Sequence, residues 1–318
     1  MSLFDAIRAA AAEVARRARS VAVEGDALER LAGELAGERP GAPDVDPGHA
    51  ALGSDAETLA FVVTLNAINF GSGWFPLLRK RAGKSGYLTV AGGLRDHFEA
   101  RGGWSAKELL ALDADACARV LGQEGVPAAR ELMDLFAHAL RDLGRLLLER
   151  HGGRFEGPIE EAGGSAERLV LALAAMPFYR DVARYDELLV PFYKRAQITC
   201  ADLALAFGGR GPGAFRDLAE LTLFADNLVP HVLRMKGVLR YADALAARIE
   251  REEPIVCGSP EEVEIRAVAL HAVERLAAAC ERKGFPIRPH ALDQLLWARG
   301  QARSIKAVPR HRTRCTYY

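Results

Sequence analysis

The sequence has no excess of charge of either sign. Its 42 Lys and Arg residues equal its 42 Asp and Glu residues, so the formal net charge is zero. Tight binding to a nucleic-acid backbone relies on clustered positive charge. The balance therefore argues against direct nucleic-acid binding, although it leaves room for a local basic patch.

Cysteine is scarce, and the five cysteines are scattered without a Cys-x-x-Cys pair. An odd, dispersed set is typical of reduced thiols in an intracellular protein. The eight histidines include no His-Glu-x-x-His and no cluster with metal-ligand spacing. We therefore expect no metal site and no cofactor.

Long apolar runs are also missing. A run such as 169–177 is far too short to cross a bilayer. The Arg-rich amphipathic N-terminus has no continuous apolar core, so it does not resemble a secretory signal, and Asp5 and Glu13 weaken its likeness to a transit peptide. The expectation is a cytoplasmic protein without membrane contact.

Helix-favouring residues and helix-start signals are what the sequence does contain. Half of the residues are hydrophobic, and Ala and Leu far outnumber the β-branched residues. N-terminal capping patterns occur at Ser54 with Glu57, Ser105 with Glu108, and Ser259-Pro260 with Glu262. No repeat of about 20 to 50 residues is present. The sequence therefore predicts an all-α globular fold with at most a few short strands, one of them over 187–190.

The stretch 191–202 concentrates polar chemistry in apolar surroundings, and it reads as the first three turns of a helix with Pro191 at the first position. Lys194 and Asp202 fall on one helical stripe, separated by roughly 12 Å along the axis. A cation at a helix N-terminus suits a phosphate. The alternative is an ordinary amphipathic helix in which Asp202 caps or pairs elsewhere, and the spacing does not decide between the two.

A second unusual stretch lies at 65–76, where two amides, three aromatic residues and a Gly-x-Gly follow a predicted helix. Asn66 and Asn69 can donate and accept hydrogen bonds, and Phe70 and Trp74 can stack on a flat ring. The glycines would let a ligand approach the backbone. The alternative is aromatic packing in the core, which leaves the amides unexplained.

Three features of the second half of the chain also bear on function. Asp226 follows an apolar run and precedes a helix, a place suited to capping and to catalysis, and the residues alone favour capping. The segment 231–251 predicts two helices joined by a tight turn at 236–238. The basic, aromatic tail 311–318 is either a frayed end or a strand folded back over a site.

Several segments together resemble the queuosine salvage proteins, which are queuosine 5′-phosphate N-glycosylases. They are Ile68-Asn69-Phe70 with Trp74, Phe178-Tyr179-Arg180-Asp181-Val182, Phe192-Tyr193-Lys194-Arg195-Ala196-Gln197-Ile198 with Ala201-Asp202, Phe224-Ala225-Asp226 with Pro230, Glu262-Val263-Glu264-Ile265-Arg266, and Arg314-Cys315 with Tyr317-Tyr318. The resemblance spans 66–318. Asn227-Leu228 departs from the aromatic-Arg pair associated with the family, which puts a phosphate or ribose role at 228 in doubt.

The resemblance implies a single domain over 1–318, with peripheral helices and a Pro/Gly-rich loop in 1–53 and the family-like core in 54–318. It implies an all-α fold distantly similar to the helix-hairpin-helix DNA glycosylases. The implied reaction is hydrolysis of queuosine 5′-monophosphate, a small-molecule substrate, to queuine and ribose 5-phosphate. The protein need not touch tRNA, and we expect a monomer.

The resemblance also implies roles for particular residues. Asp202 and Asp226 are the candidate catalytic carboxylates, and their roles are interchangeable at this stage. Lys194 would bind the 5′-phosphate, with Lys236 as the alternative. The remaining candidate substrate-binding residues are Asn69, Phe70, Trp74, Tyr193, Gln197 and Tyr318.

Two other functions are compatible with the sequence. The first is an N-glycosylase of another modified nucleotide or of a damaged base, although a DNA glycosylase needs a basic face. The second is a non-catalytic helical binding module, which predicts no turnover. Without the family resemblance, the residues alone do not exclude that module.

Overall fold

Residues 1–38 and 51–318 are described by the computed structural model of the chain. They are mostly helical, with two small antiparallel sheets of two strands each, which confirms the helical class. The predicted loop over 37–53 lies largely outside the described residues. None of the helices in 1–38 and 51–318 combines the length and hydropathy that a bilayer span requires.

The helices and strands of the described residues follow one another along the chain with short connections. The helices are α1 (Leu3–Arg17), α2 (Gly25–Glu38), α3 (Asp55–Ala67), α4 (Gly86–Arg101), α5 (Ala106–Ala111), α6 (Ala114–Val120), α7 (Arg130–His151), α8 (Gly157–Ala162), α9 (Ala166–Leu173), α10 (Lys194–Ala206), α11 (Leu228–Met235), α12 (Asp243–Glu250), α13 (Pro260–Arg282), α14 (Pro289–Arg299) and α15 (Arg303–Lys306). The strands are β1 (Val21–Val23), β2 (Val182–Tyr185), β3 (Leu188–Pro191) and β4 (Leu239–Tyr241). Strand β1 pairs with β4, and β2 pairs with β3.

The predicted helix starts are confirmed. The hydroxyls of Ser54, Ser105 and Ser259 each accept a hydrogen bond from the backbone N–H three residues later. Each such cap is worth about 1 kcal/mol, because it satisfies an N–H group that has no partner inside the helix.

The chain forms two compact units. Unit 1 contains the described residues 1–38 together with Asp181–Lys194 and Ala219–Arg314. Its long helix α13 is buried along most of its length and packs against α1, α2, α14 and β1. Helix α1 buries the face that carries Phe4, Ile7 and Val14, as its helical periodicity predicts.

Unit 2 contains the described residues 51–180 with Arg195–Leu218 and Cys315–Tyr318. Its longest helix, α7, packs against α3, α5, α6 and α8 and buries an apolar stripe. Gly144 of α7 allows the close approach of α5, because a Cβ atom there would lie 2.7 Å from the carbonyl oxygen of Ala106. The chain enters each unit more than once, and the single domain implied by the resemblance stays a prediction.

The structure changes two local predictions. Pro191 does not start a helix: it is the last residue of β3, and α10 begins at Lys194. Pairing with β2 accounts for this, since Pro191 stands opposite Val182 in the hairpin. The helical hairpin over 231–251 is interrupted, because β4 lies between α11 and α12. The short strand predicted over 187–190 is confirmed with a shift of one residue.

The C-terminal tail is packed into the protein, so the frayed-end alternative is wrong. Thr313, Cys315 and Tyr318 are 0%, 6% and 2% exposed. The tail has no strand assignment, although its backbone takes part in hydrogen bonds.

Candidate active site

The first candidate carboxylate, Asp202, lies in unit 2 on α10 and is 3% exposed. Its Oδ2 accepts a hydrogen bond of 2.8 Å from Nδ2 of Asn66, on the last turn of α3. A buried carboxylate is costly without such donors. The contact therefore holds the carboxylate in a defined place.

Asn66 connects Asp202 to a predicted substrate-binding residue. Besides Asp202, Nδ2 of Asn66 donates to the carbonyl of Val62 at 3.1 Å, and Oδ1 of Asn66 accepts from Nδ2 of Asn69 at 3.2 Å. The orientation of the Asn66 amide follows from this network, because its NH2 group faces two acceptors. The structure thus joins Asn69, Asn66 and Asp202 in one chain of hydrogen bonds, which we call the amide chain.

Sequence reasoning noted Asn66 as an amide but gave it no place in the site. The available signal was its spacing with Asn69, since two amides three residues apart at a helix end point the same way. Nothing local could link Asn66 to Asp202, because 136 residues separate them.

Arg195 fastens the end of α3 to α10 in unit 2. Its Nη1 donates to the carbonyls of Ala67 at 2.6 Å and Asn66 at 3.3 Å, and its Nη2 donates to the carbonyl of Phe178. The last carbonyls of a helix lack partners within the helix. Arg195 supplies those partners, and this fixes the backbone of Asn66 beside α10.

Aromatic rings enclose this guanidinium. Arg195 lies 4.3 Å from the ring centroid of Tyr179 and 4.8 Å from that of Phe70, which are cation–π distances. Burial raises the pKa of Tyr179, and the cationic Arg195 acts in the opposite direction. Sequence reasoning missed Arg195, although the rarity of buried arginines makes one within an apolar helix a useful signal.

Two predicted stacking residues are packed inside unit 2. Phe70 is 1% exposed, and its ring makes edge contacts with Phe136 at 5.1 Å and Phe178 at 6.0 Å. The indole N–H of Trp74 donates to the Glu131 carboxylate at 2.7 Å. These are the contacts expected of core aromatics, so base binding by either ring stays a prediction.

The last residue of the tail meets the segment that carries Asn69. The Tyr318 carbonyl accepts from the N–H groups of Gly71 at 2.9 Å and Ser72 at 3.4 Å. Gly71 has a φ of 105° and no room for a side chain, since a Cβ atom would lie 2.7 Å from Leu132. The predicted residue Tyr318 is therefore one short segment away from Asn69. Gln197, fully buried on α10, belongs to the same unit.

The second candidate carboxylate, Asp226, lies in unit 1 and is half-buried. Its Oδ1 accepts from the first N–H groups of α11, those of Leu228 at 2.8 Å and Val229 at 3.2 Å. The capping expectation is thereby confirmed, and a catalytic role for Asp226 stays a prediction.

Arg310 is a charged neighbour of Asp226 that sequence reasoning missed. Burial lowers the pKa of the Arg310 guanidinium, and the carboxylate of Asp226 acts in the opposite direction. A cation within electrostatic reach favours the charged form of the carboxylate. Its position in the tail offered no sequence signal for this.

The predicted phosphate and base ligands of unit 1 have partners of different kinds. The backbone N–H of Lys194, the first of α10, donates to Asp181 Oδ2 at 3.1 Å, so a carboxylate of the chain already meets this helix start. Tyr193 has a left-handed φ of 48°. Lys236 is exposed and pairs with Glu34 at 2.7 Å. The ligand roles of all three lysine and tyrosine residues stay predictions.

No group of three His, Cys, Asp or Glu side chains in the described part of the chain is arranged to hold a metal ion. The chemistry of the described candidates is therefore that of carboxylates, amides and cations.

Known proteins are similar to this chain over most of its length. A family model described as queuosine salvage protein matches residues 49–318. A queuosine 5′-phosphate N-glycosylase/hydrolase of Sphaerobacter thermophilus is 40% identical over 312 residues, covering 96% of this chain and 95% of that protein. Proteins of the same name from mouse and Schizosaccharomyces pombe are 38% and 32% identical over 197 and 191 residues, which are 58% and 55% of their lengths.

Proposed function

The chain belongs to the queuosine salvage protein family, and from this membership we propose that it hydrolyses the N-glycosidic bond of queuosine 5′-monophosphate. The products are queuine and ribose 5-phosphate, and queuine is then available for insertion into tRNA. The support is the family match over 49–318 and the 40% identity to a bacterial queuosine 5′-phosphate N-glycosylase/hydrolase along almost the whole chain.

The reaction makes definite demands on the protein. Water adds its oxygen to C1′ of the ribose, the bond between C1′ and the base nitrogen breaks, and one proton of the water ends on that nitrogen. The transition state carries positive charge on the ribose, which a nearby carboxylate stabilises. The base is a 7-deazaguanine without an N7 to protonate, so stabilisation of this cation and placement of the water carry more of the catalysis.

We assign the cation-facing role to Asp202. The observation that carries the assignment is the hydrogen bond from Asn66, because it holds a buried carboxylate in one orientation without consuming it in an ion pair among the described contacts. A carboxylate fixed before the substrate binds needs little reorganisation when charge develops. Asp202 either stabilises the ribosyl cation or activates the water.

Asp226 is the second carboxylate of the proposal, and it reads the N–H edge of the base or shares the catalytic step. The two aspartates could exchange these roles. Lys194 is assigned to the 5′-phosphate, with Lys236 as the alternative. Asn69, Phe70, Trp74, Tyr193, Gln197 and Tyr318 are assigned to the base and ribose.

Three coarser expectations belong to the same proposal. The protein is expected to act as a monomer in the cytoplasm and to bind the mononucleotide directly, not the tRNA. Its helical fold is proposed to be distantly related to that of the helix-hairpin-helix DNA glycosylases, with β4 as an insertion in the hairpin. Sedimentation and a comparison of experimental structures would test these points.

The deciding experiment is incubation of the purified protein with queuosine 5′-monophosphate, with queuine followed by chromatography. The wild type should release queuine, and Asp202→Asn should not. Release by both proteins would keep the reaction and transfer the central role to Asp226. No release by a folded wild type would contradict the proposed substrate and direct the search to other modified nucleotides.

A further inference from the structure

A buried ion pair in unit 1 has no place in the functions described so far. Arg266 of α13 and Asp181 are 1% and 2% exposed. Nη1 of Arg266 donates to Oδ1 of Asp181 at 3.0 Å, and Nη2 donates to Oδ2 at 2.6 Å. This two-point contact is the strongest geometry available to an arginine and a carboxylate.

The arginine also holds the residue that precedes Asp226. Its Nε donates to the carbonyl oxygen of Ala225 at 3.0 Å. The guanidinium lies 3.9 Å from the ring centroid of Phe192, and the carboxylate of Glu262 is 3.7 Å from Nη1. The position of the Asp226 backbone therefore depends on a side chain that is itself held on several sides.

The aspartate of the pair holds the start of α10. Its Oδ2 accepts the N–H of Lys194 at 3.1 Å, and its own carbonyl accepts those of Phe192 at 2.9 Å and Tyr193 at 3.2 Å. Lys194 and Asp226 are thus each attached, through one backbone hydrogen bond at or next to the residue, to the same ion pair.

We propose that Arg266 and Asp181 are positioning residues that fix the spacing between the backbones of Asp226 and Lys194. This inference rests on the proposed function, in which these residues act on the base or ribose and on the 5′-phosphate of one substrate. A shift of about 1 Å in such a group can lower turnover by about a hundredfold, even when the shifted residue is intact.

A lysine cannot replace Arg266 in this arrangement. An ammonium group is a compact charge without the planar fork that meets both oxygens of Asp181 while Nε meets Ala225. Arg266→Lys should therefore keep the charge and loosen the spacing.

Glu264 provides a matched control two residues away on α13. It is also 1% exposed, and its carboxylate accepts from the backbone N–H groups of Ser20 and Val21 and from the Tyr185 hydroxyl. Its printed contacts do not include Asp226 or Lys194. Glu264→Gln should therefore disturb an equally buried part of unit 1 and leave turnover within about twofold.

The experiment compares the wild type, Arg266→Lys and Glu264→Gln at a temperature at which all are folded. Queuine release should fall about 10- to 100-fold in kcat for Arg266→Lys. Amide hydrogen exchange should accelerate at Lys194, Leu228 and Val229 in Arg266→Lys, and at Ser20 and Val21 in Glu264→Gln. If Arg266→Lys does not fold, Asp181→Asn is expected to give the same pattern of lost turnover and faster exchange at Leu228 and Val229.

Two results would overturn the inference: wild-type kcat in a folded Arg266→Lys, or losses of kcat in both variants in proportion to their lost stability. If the wild type releases no queuine, the proposed function fails, and the exchange data decide the positioning question independently. Exchange that accelerates evenly across unit 1 in Arg266→Lys would then contradict it.

Discussion

The two candidate carboxylates are held by different kinds of donor. Asp202 is almost fully buried and accepts from the side-chain amide of Asn66, which is itself linked to Asn69. Asp226 is half-buried and accepts from the first backbone N–H groups of α11. The carboxylate of Asp226 therefore has a structural duty that would exist without any substrate, whereas the amide chain around Asp202 has no comparable duty in starting a helix. Loss of function and loss of stability should separate at Asp202 and coincide in part at Asp226.

Asp202→Asn should have the largest effect on turnover. We expect kcat to fall by roughly 10²- to 10⁴-fold, the usual contribution of a catalytic acid or base, with the unfolding free energy changed by only about 1 kcal/mol. Asp217, also in unit 2, supplies the control, since it caps α9 through the N–H groups of Ala166 and Glu167. Asp217→Asn should keep kcat, and an equal loss there would remove the distinction of Asp202.

A pair of substitutions at Asp226 separates its cap from its chemistry. Asparagine caps helices about as well as aspartate, whereas alanine costs about 1 kcal/mol. Asp226→Asn should therefore keep the denaturation midpoint, and Asp226→Ala should lower it. If Asp226 is also catalytic, both variants lose kcat to the same extent. Full kcat in Asp226→Asn would reduce Asp226 to a capping residue.

The two lysines test which side of the comparison holds the phosphate. Lys194 starts the helix that carries Asp202, and Lys236 follows the helix that Asp226 caps. Lys194→Met should raise KM for the monophosphate by about 10- to 100-fold, which corresponds to a hydrogen bond to a charged group. Lys236→Met should change KM little and cost less than about 1 kcal/mol, because its ion pair with Glu34 is exposed. The reverse order of KM values would exchange the two assignments.

The smallest expected effect is a shift in pH dependence on the Asp202 side. Asn66→Asp places a second carboxylate at hydrogen-bond distance from Asp202, and the repulsion between like charges raises one pKa of the pair. Because the reaction needs the ionised carboxylate, the acidic limb of kcat should move to higher pH by about one unit or more. Asn69→Asp, one hydrogen bond further away, should move it less. An unchanged limb in Asn66→Asp would mean that Asp202 is not the group that titrates.

Local signals in the sequence were sufficient for the helix starts. Ser54, Ser105 and Ser259 cap as predicted, because a cap depends on a few consecutive residues. The Ser259 cap begins α13, which places Arg266 and Glu264 on the central helix of unit 1. Most of the predicted helical content followed from the same kind of short-range pattern.

Long-range contacts limited what could be predicted of the site. Pro191 reads as a helix start until its pairing with Val182 is known, and β1 and β4 are too short to be recognised before they meet. The partners of Asp202 and Asp181 lie 136 and 85 residues away, so neither the amide chain nor the ion pair with Arg266 has a local pattern. The family resemblance supplied the aspartates, and the structure supplied the groups that hold them.

The two ends of the described chain differ in a way that matters for producing the protein. Met1 is 98% exposed, whereas Tyr318 is 2% exposed and its carbonyl is bound by Gly71 and Ser72. Residues appended after Tyr318 would have to leave from a buried position next to the segment that carries Asn69. An affinity tag or fluorescent label therefore belongs before Met1, where it can extend into solvent without disturbing that segment.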